Sequence, residues 1–248
     1  MARVSRAART VHRVLSYVVF AQLTVWILGG LTFAVIPFGS IIKSESVMDV
    51  QPPTAFPAQW WKAVAPHIAA AGDVDGLATF ESSQGPLLEL RSGEERRWIR
   101  LTDGSTALVP EAAEVSAYAQ QLYAGDGAVT ETRYIDESEY RVLGLVDELY
   151  GRTGLWQVNF DDTLGTRLYF DGETGRYLTV RNDFWVFYDA MWRLHIMDYS
   201  GGEDFNNALL RIFTPLAMLF ALAGLVLTWT AARRSLKRRA GRATSAGV

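Results

Sequence analysis

The chain has 248 residues, of which 49% are hydrophobic and 21% charged, a balance that excludes both a disordered polyelectrolyte and a polytopic channel. It contains no cysteine, which excludes disulfides, thiolate metal sites, iron–sulfur clusters, covalently attached c-type haem and a cysteine nucleophile. The formal net charge of −3 conceals a segregation: all 27 acidic residues lie between Glu45 and Asp204, beside 12 basic ones, whereas both ends are purely basic.

Arg3, Arg6, Arg9 and Arg13 make residues 1–13 a basic leader to the first apolar run. That run, residues 14–38, carries no charge, and Gln22 is its most polar member. At 1.5 Å per residue it reaches roughly 37 Å, enough for a hydrocarbon core of about 30 Å. It is too long for a signal-peptide core and ends without a small-x-small exit, so it reads as an anchor. Gly29 and Gly30 give it a small surface for a neighbouring helix.

Residues 39–57 read as a linker ending in Pro52-Pro53 and Pro57. Within it, Ser40-Ile-Ile-Lys43 matches a pattern of some acyl enzymes, but without companion motifs it points to no chemistry. Residues 58–110 begin with a helical pattern (Trp60, Trp61, Val64, Ile68) that breaks near Gly72-Asp73. Strand-like pieces LATF, PLLEL, RRWIRL and TALV follow, separated by turn residues at Gly85-Pro86, Ser92-Gly93 and Asp103-Gly104. Residues 111–182 repeat that order. A helix with the apolar stripe Val115, Tyr118, Ala119 and Leu122 runs from Pro110-Glu111 to about Ala124, where Gly125 stops it. The strand patterns AVTETRYI, LWQVNF, TRLYF and RYLTV come next. RWIRLTDGSTALV and TRLYFDGETGRYLTV each read as a hairpin around an Asp-Gly turn. A period-2 sheet with one apolar face needs a cover, and the preceding amphipathic helix supplies it. The expected fold class is therefore two tandem α+β units, helix plus antiparallel sheet, held between two transmembrane helices.

Residues 183–207 form an aromatic segment that precedes the second apolar run, residues 208–232. There Arg211 lies where it snorkels outward, and Trp229 lies at the headgroup depth of the inner end. Gly224 offers a small surface there. Residues 233–248 are a basic tail. Lys/Arg excess at both ends places both termini in the cytoplasm and the domain between them on the outer side: a two-pass inner-membrane protein with its domain in the periplasm if the source is a bacterium.

LYFDGETGRYLTV resembles the signature hairpin of the PepSY domain. NDFWVFYDAMWRLHIMDYSGGEDFNNALLRIF and the apolar run after it resemble the membrane-proximal part of PepSY-associated transmembrane proteins, and VHRVLSYVVFAQLTVWILGG is similar to that family's first span. The resemblance covers most of the chain and implies PepSY-like α+β units. It also implies that the chain binds or regulates extracytoplasmic partners, notably peptidases. Larger family members are implicated in ferric-siderophore reduction, with haem held between histidines, and similar sequences occur beside flavin and iron–sulfur reductases. The chain departs from the haem-bearing pattern in having two spans, three histidines, and Asn207-Ala208 where relatives carry His-Pro.

Of the candidate residues, His195 stands in a dense aromatic segment. It reads either as a haem ligand or proton relay, or as an interfacial residue bonded to a neighbour such as Asp198. His12, at the inner end of the first span, is the second candidate ligand. On this topology the two imidazoles stand a bilayer apart and cannot share one iron. His67 reads as structural or solvated. Trp185, Trp192, Tyr199 and Trp229 read as membrane-interface aromatics. The acidic runs Asp136-Glu137-Glu139, Asp147-Glu148 and Asp161-Asp162 lack EF-hand spacing and read as solvated surface.

The function expected is that of a non-catalytic, membrane-anchored interaction module without a cofactor, docking an unidentified protein in the outer compartment or membrane. It contacts lipid but no nucleic acid. The alternative is an accessory haem-binding or electron-transfer subunit of a ferric or flavin reductase system.

Overall fold

A computed structural model describes residues 2–36, residue 39 and residues 56–245, with side chains described at 9–17, 19–36, 39 and 56–235. Ser40 and Lys43, and most of the proposed linker, lie outside the described residues. The chain divides into two compact units, residues 36–189 and residues 1–35 with 190–248. The fold is α+β with antiparallel sheets.

Within residues 36–189, helix and sheet do alternate twice. Helix α2 (Trp60–Ala71) precedes β1 (Gly76–Ser82), β2 (Gly85–Ser92) and β3 (Glu95–Arg100), which pair as an antiparallel meander in the order β1-β2-β3. Val64 from the helix packs on Leu88, Leu90, Ile99 and Leu101, with Trp60 and Ile68 beside them. Trp61 is exposed, because it falls off the i, i+4 face shared by Trp60, Val64 and Ile68.

One expected hairpin forms only in part. β3 pairs along its length with β2, Leu88 opposite Ile99, through the Ser92-Gly93 turn. Its contact with TALV is short: an antiparallel bridge Ile99–Thr106, with the Arg100 N–H donating to the Ser105 carbonyl and the Ala107 N–H to the Trp98 carbonyl, both at 2.8 Å. The turn between them is local: the Asp103 carboxylate accepts from the Ser105 N–H and hydroxyl. Gly104, at φ 75°, lies so close to α2 that a Cβ there would stand 2.5 Å from the Ala63 carbonyl oxygen. His67 Nε2 lies 2.7 Å from the Gly104 carbonyl, so His67 is a structural clip.

In the second half, α3 (Ala112–Leu122) starts with a capping box between Glu111 and Glu114. It covers a four-stranded antiparallel sheet in the order β4-β7-β8-β9: β4 (Val129–Ile135), β7 (Leu155–Phe160), β8 (Arg167–Asp171) and β9 (Tyr177–Arg181). Val115, Ala119 and Leu122 close on Val158, Phe160, Leu168, Phe170 and Val180, the alternate residues of one sheet face. The β8–β9 hairpin forms as expected. The Asp171 carboxylate accepts from the Thr174 N–H and hydroxyl (2.9 and 2.7 Å), and Gly175 turns at φ 69°.

Between β4 and β7 stands an insertion without a counterpart in the first half. A short hairpin of β5 (Tyr140–Arg141) and β6 (Val146–Asp147) lies over the second sheet face. Its tip holds Val142 at φ 52° and Leu143 at φ 57°, left-handed conformations that cost roughly 1–2 kcal/mol per non-glycine residue.

The other unit contains α1 (Ala2–Val35), the end of α4 (Asp183–Ile196) and α5 (Ala208–Ser245). α1 and α5 pack against each other. Within α5, Ala208–Ser235 is 28 residues long with mean hydropathy 2.1, long and apolar enough to cross a membrane. α1 qualifies only if its stretches Arg9–Tyr17 and Val19–Val35, which meet at 55°, are taken as one bent span. Ser16 Oγ donates to the Arg13 carbonyl just before the bend (2.7 Å), a back-bond of the kind that bends helices. Thr24, Thr32, Thr214 and Thr228 donate to carbonyls four residues back, so their hydroxyls need no water.

Candidate functional site

The face of the second sheet opposite α3 is polar, and the sequence pattern explains how. Glu131, Arg133, Gln157, Asn159, Arg167, Tyr169, Thr179 and Arg181 alternate with the core residues, and the registers Arg133–Gln157 and Gln157–Tyr169 align them across strands. The insertion covers part of this face and buries it. Glu148 is 4% exposed, Arg167 5% and Tyr169 2%.

Glu148 holds the centre. Arg167 donates to it through Nε (3.0 Å) and Nη2 (2.6 Å), a two-pronged pair. The Tyr169 hydroxyl donates to the same carboxylate, and Arg141 Nε stands 3.1 Å from it. Arg167 Nη1 also donates to Asp183 and to the Gly165 carbonyl, both at 2.7 Å. Burial alone pulls the Arg167 guanidinium down, but the Glu148 charge and the bonds to Glu148 and Asp183 outweigh it, and its pKa is raised. Burial, then the neighbouring carboxylate, pushes the Tyr169 phenol well above its ordinary range. Arg181 completes the wall: its Nε donates to the Glu148 carbonyl (3.2 Å), and its guanidinium lies 4.2 Å from the Trp185 ring.

This corrects two expectations. Asp147-Glu148 is not solvated surface: Asp147 accepts from the Leu149 and Gly151 N–H groups, and Glu148 is the buried centre of the network. Trp185 is turned inward, 8% exposed, between Arg181 and Tyr150, rather than standing in a membrane belt. Sequence reasoning missed the network because its members are spread from residue 141 to 183. The one available signal was the row of polar residues at alternate positions of β7 and β8. Of the other acidic runs, Asp136, Glu137 and Glu139 are exposed, whereas Asp162 accepts from the Tyr123 and Thr166 hydroxyls.

The histidine candidates lie in the other unit. His195 does not bond Asp198. Its Nδ1 stands 3.0 Å from the Trp26 carbonyl, its ring stacks on Trp26 at 4.8 Å, and Phe33 meets it edge-on at 5.3 Å. A carbonyl only accepts, so Nδ1 carries the proton. Gly29 makes room: a Cβ there would lie 3.2 Å from the His195 Cβ and Nδ1. His12 repeats the arrangement, stacking on Phe220 at 4.3 Å with Nδ1 3.4 Å from the Phe220 carbonyl and Gly224 beside the ring. Each glycine thus accommodates a histidine ring.

His12 and Trp26, the residue under His195, are fourteen positions apart on α1, or about 20 Å. Two imidazoles holding one haem iron stand about 4 Å apart, so the pair does not fit bis-histidine ligation within this chain.

Asp198 closes the turn after α4. It accepts from the Ser200, Gly201, Glu203 and Asp204 N–H groups and the Ser200 hydroxyl. Burial alone would raise its pKa, but these donors hold the carboxyl far below the usual range. Trp192 Nε1 donates to the Gly202 carbonyl (2.9 Å), and Phe33 and Phe205 meet its ring edge-on. Tyr199 is exposed, and Trp229, also exposed, lies under the Arg233 guanidinium at 4.7 Å.

Compared with protein-family models, curated proteins and solved structures, the chain matches none.

Proposed function

We propose that the chain is a two-pass, membrane-anchored docking module of the PepSY-like kind that presents its α+β domain to the outer compartment and engages a protein partner there. The observation that carries this reading is the apolar helix Ala208–Ser235 combined with charge segregation: acid only between Glu45 and Asp204, base alone at both ends. α1 is the second span in this reading, bent after Tyr17, and both termini are cytoplasmic. In a bacterium the membrane is the inner one and the domain faces the periplasm.

Three features support a scaffold over a reaction centre. Glu148, Arg167 and Tyr169 bond one another, Asp198 bonds its own loop, and both histidines bond backbone carbonyls of a neighbouring helix. The electron-transfer alternative, with His195 as a haem ligand, rests on Nε2, the ring nitrogen not engaged by the Trp26 carbonyl, and requires the opposite ligand from another chain.

A visible spectrum of the protein purified from its native membrane, oxidised and then dithionite-reduced, separates the readings. The docking module predicts no Soret band. A Soret band that shifts on reduction and is lost in His195→Ala would replace it with the electron-transfer subunit, and reproducible turnover by the chain alone would also overturn it.

A further inference from the structure

The β5–β6 insertion presents something its scaffold does not need. Leu143 at its tip is fully exposed, Tyr140 is largely so, and Val142 is about half exposed. Apolar side chains at a turn are normally replaced by Asn, Asp or Gly, above all where the backbone is left-handed. Here Val142 and Leu143 adopt that conformation at φ 52° and 57° and are held outward. The mount beneath is stiff: Val146, Asp147 and Glu148 are buried, and Glu148 is tied to Arg141, Arg167 and Tyr169. A rigid mount under an exposed apolar tip suits insertion into a preformed pocket, because little freedom remains to be lost on binding.

Charge says what kind of pocket. Asp136 and Glu137, just before the hairpin, are exposed and carry no ion pair among the described residues, while Glu139 is neutralised by Arg133 (2.5 Å). The stretch Glu45–Asp204 carries 27 acidic against 12 basic residues. An anionic leaflet repels such a surface, and a basic rim attracts it.

We propose that the tip of this hairpin, Val142 and Leu143 flanked by Tyr140, inserts into an apolar pocket on a protein partner, and that Asp136 and Glu137 face basic side chains on the pocket's rim. This rests on the docking-module reading and names the surface that it uses.

The test places the photoreactive residue benzoylphenylalanine at position 143 of the full chain in its native membrane. A control chain carries it at Leu108, which is exposed on the first α+β half. Irradiation is expected to give one discrete protein adduct from position 143 and none from 108. In the chain that also carries Asp136→Lys and Glu137→Lys the adduct falls by about tenfold, since like charges then meet across the rim. An unchanged melting temperature for that variant shows that the loss is not unfolding. An adduct that ignores the charge reversal, a lipid adduct or an adduct of twice the chain's mass overturns the proposal. A charge-sensitive adduct from 108 alone overturns it while leaving the docking-module reading intact, and silence at both positions counts against both.

Discussion

Asp198 shows how much one side chain determines. Four backbone N–H groups and a hydroxyl converge on its carboxylate, so the turn after α4 has an internal partner where water would otherwise be needed. Because the folded pKa is depressed below the unfolded value of about 3.9, the stability this group adds is complete above that value and is lost as pH falls through the folded one. The turn is therefore expected to loosen progressively below about pH 4. Hydrogen exchange of the Glu203 and Asp204 amides in the reconstituted protein, followed from pH 6 to 3 and corrected for intrinsic rates, reads this directly. In Asp198→Asn that protection should already be low at pH 6, because the amide NH2 faces N–H groups with nothing to offer them. Protection that is unchanged by pH and by the substitution would show that the carboxylate does not hold the turn.

At the scale of elements, the β5–β6 insertion is fastened to its sheet by one buried pair. Glu148→Ala leaves Nε and Nη2 of the buried Arg167 guanidinium without the carboxylate, with only Nη1 still held by Asp183 and the Gly165 carbonyl, and losing one partner of such a pair costs about 3–5 kcal/mol. Glu148→Leu with Arg167→Met removes both charges and is expected to recover most of that stability, as measured by denaturant unfolding of the full chain in detergent. If the single and double variants were equally destabilised, packing rather than the ion pair would hold the insertion.

The elements also show what was legible in the sequence. The helix stripe Val115, Ala119, Leu122 and the Asp171–Gly175 hairpin are local signals, written within a few residues, and both formed as read. The hairpin expected after Trp98 had the same Asp-Gly mark but pairs only briefly, around Ile99–Thr106, while β3 pairs along its length with β2 and His67 reaches the turn from α2. Such choices depend on a distant partner. The polar network at Glu148 was illegible for the same reason: β7 and β8 had to pair before residues 141, 148, 167 and 183 met. The carbonyl partners of His195 and His12 lie on another helix and leave no mark in sequence.

For the whole molecule, the central claim is an outward domain between two inward tails. Ala208–Ser235 supports one crossing on its length and composition, and the return crossing rests on α1. The absence of cysteine makes the decisive measurement simple, because any cysteine introduced is the only one present. Leu108→Cys and Ala232→Cys, made separately, are exposed to a membrane-impermeant maleimide in sealed vesicles with the cell's outer face outward. The account predicts that Leu108→Cys is labelled at once and Ala232→Cys only after the vesicles are opened with detergent. Labelling of Ala232→Cys in sealed vesicles, or protection of Leu108→Cys, would contradict it.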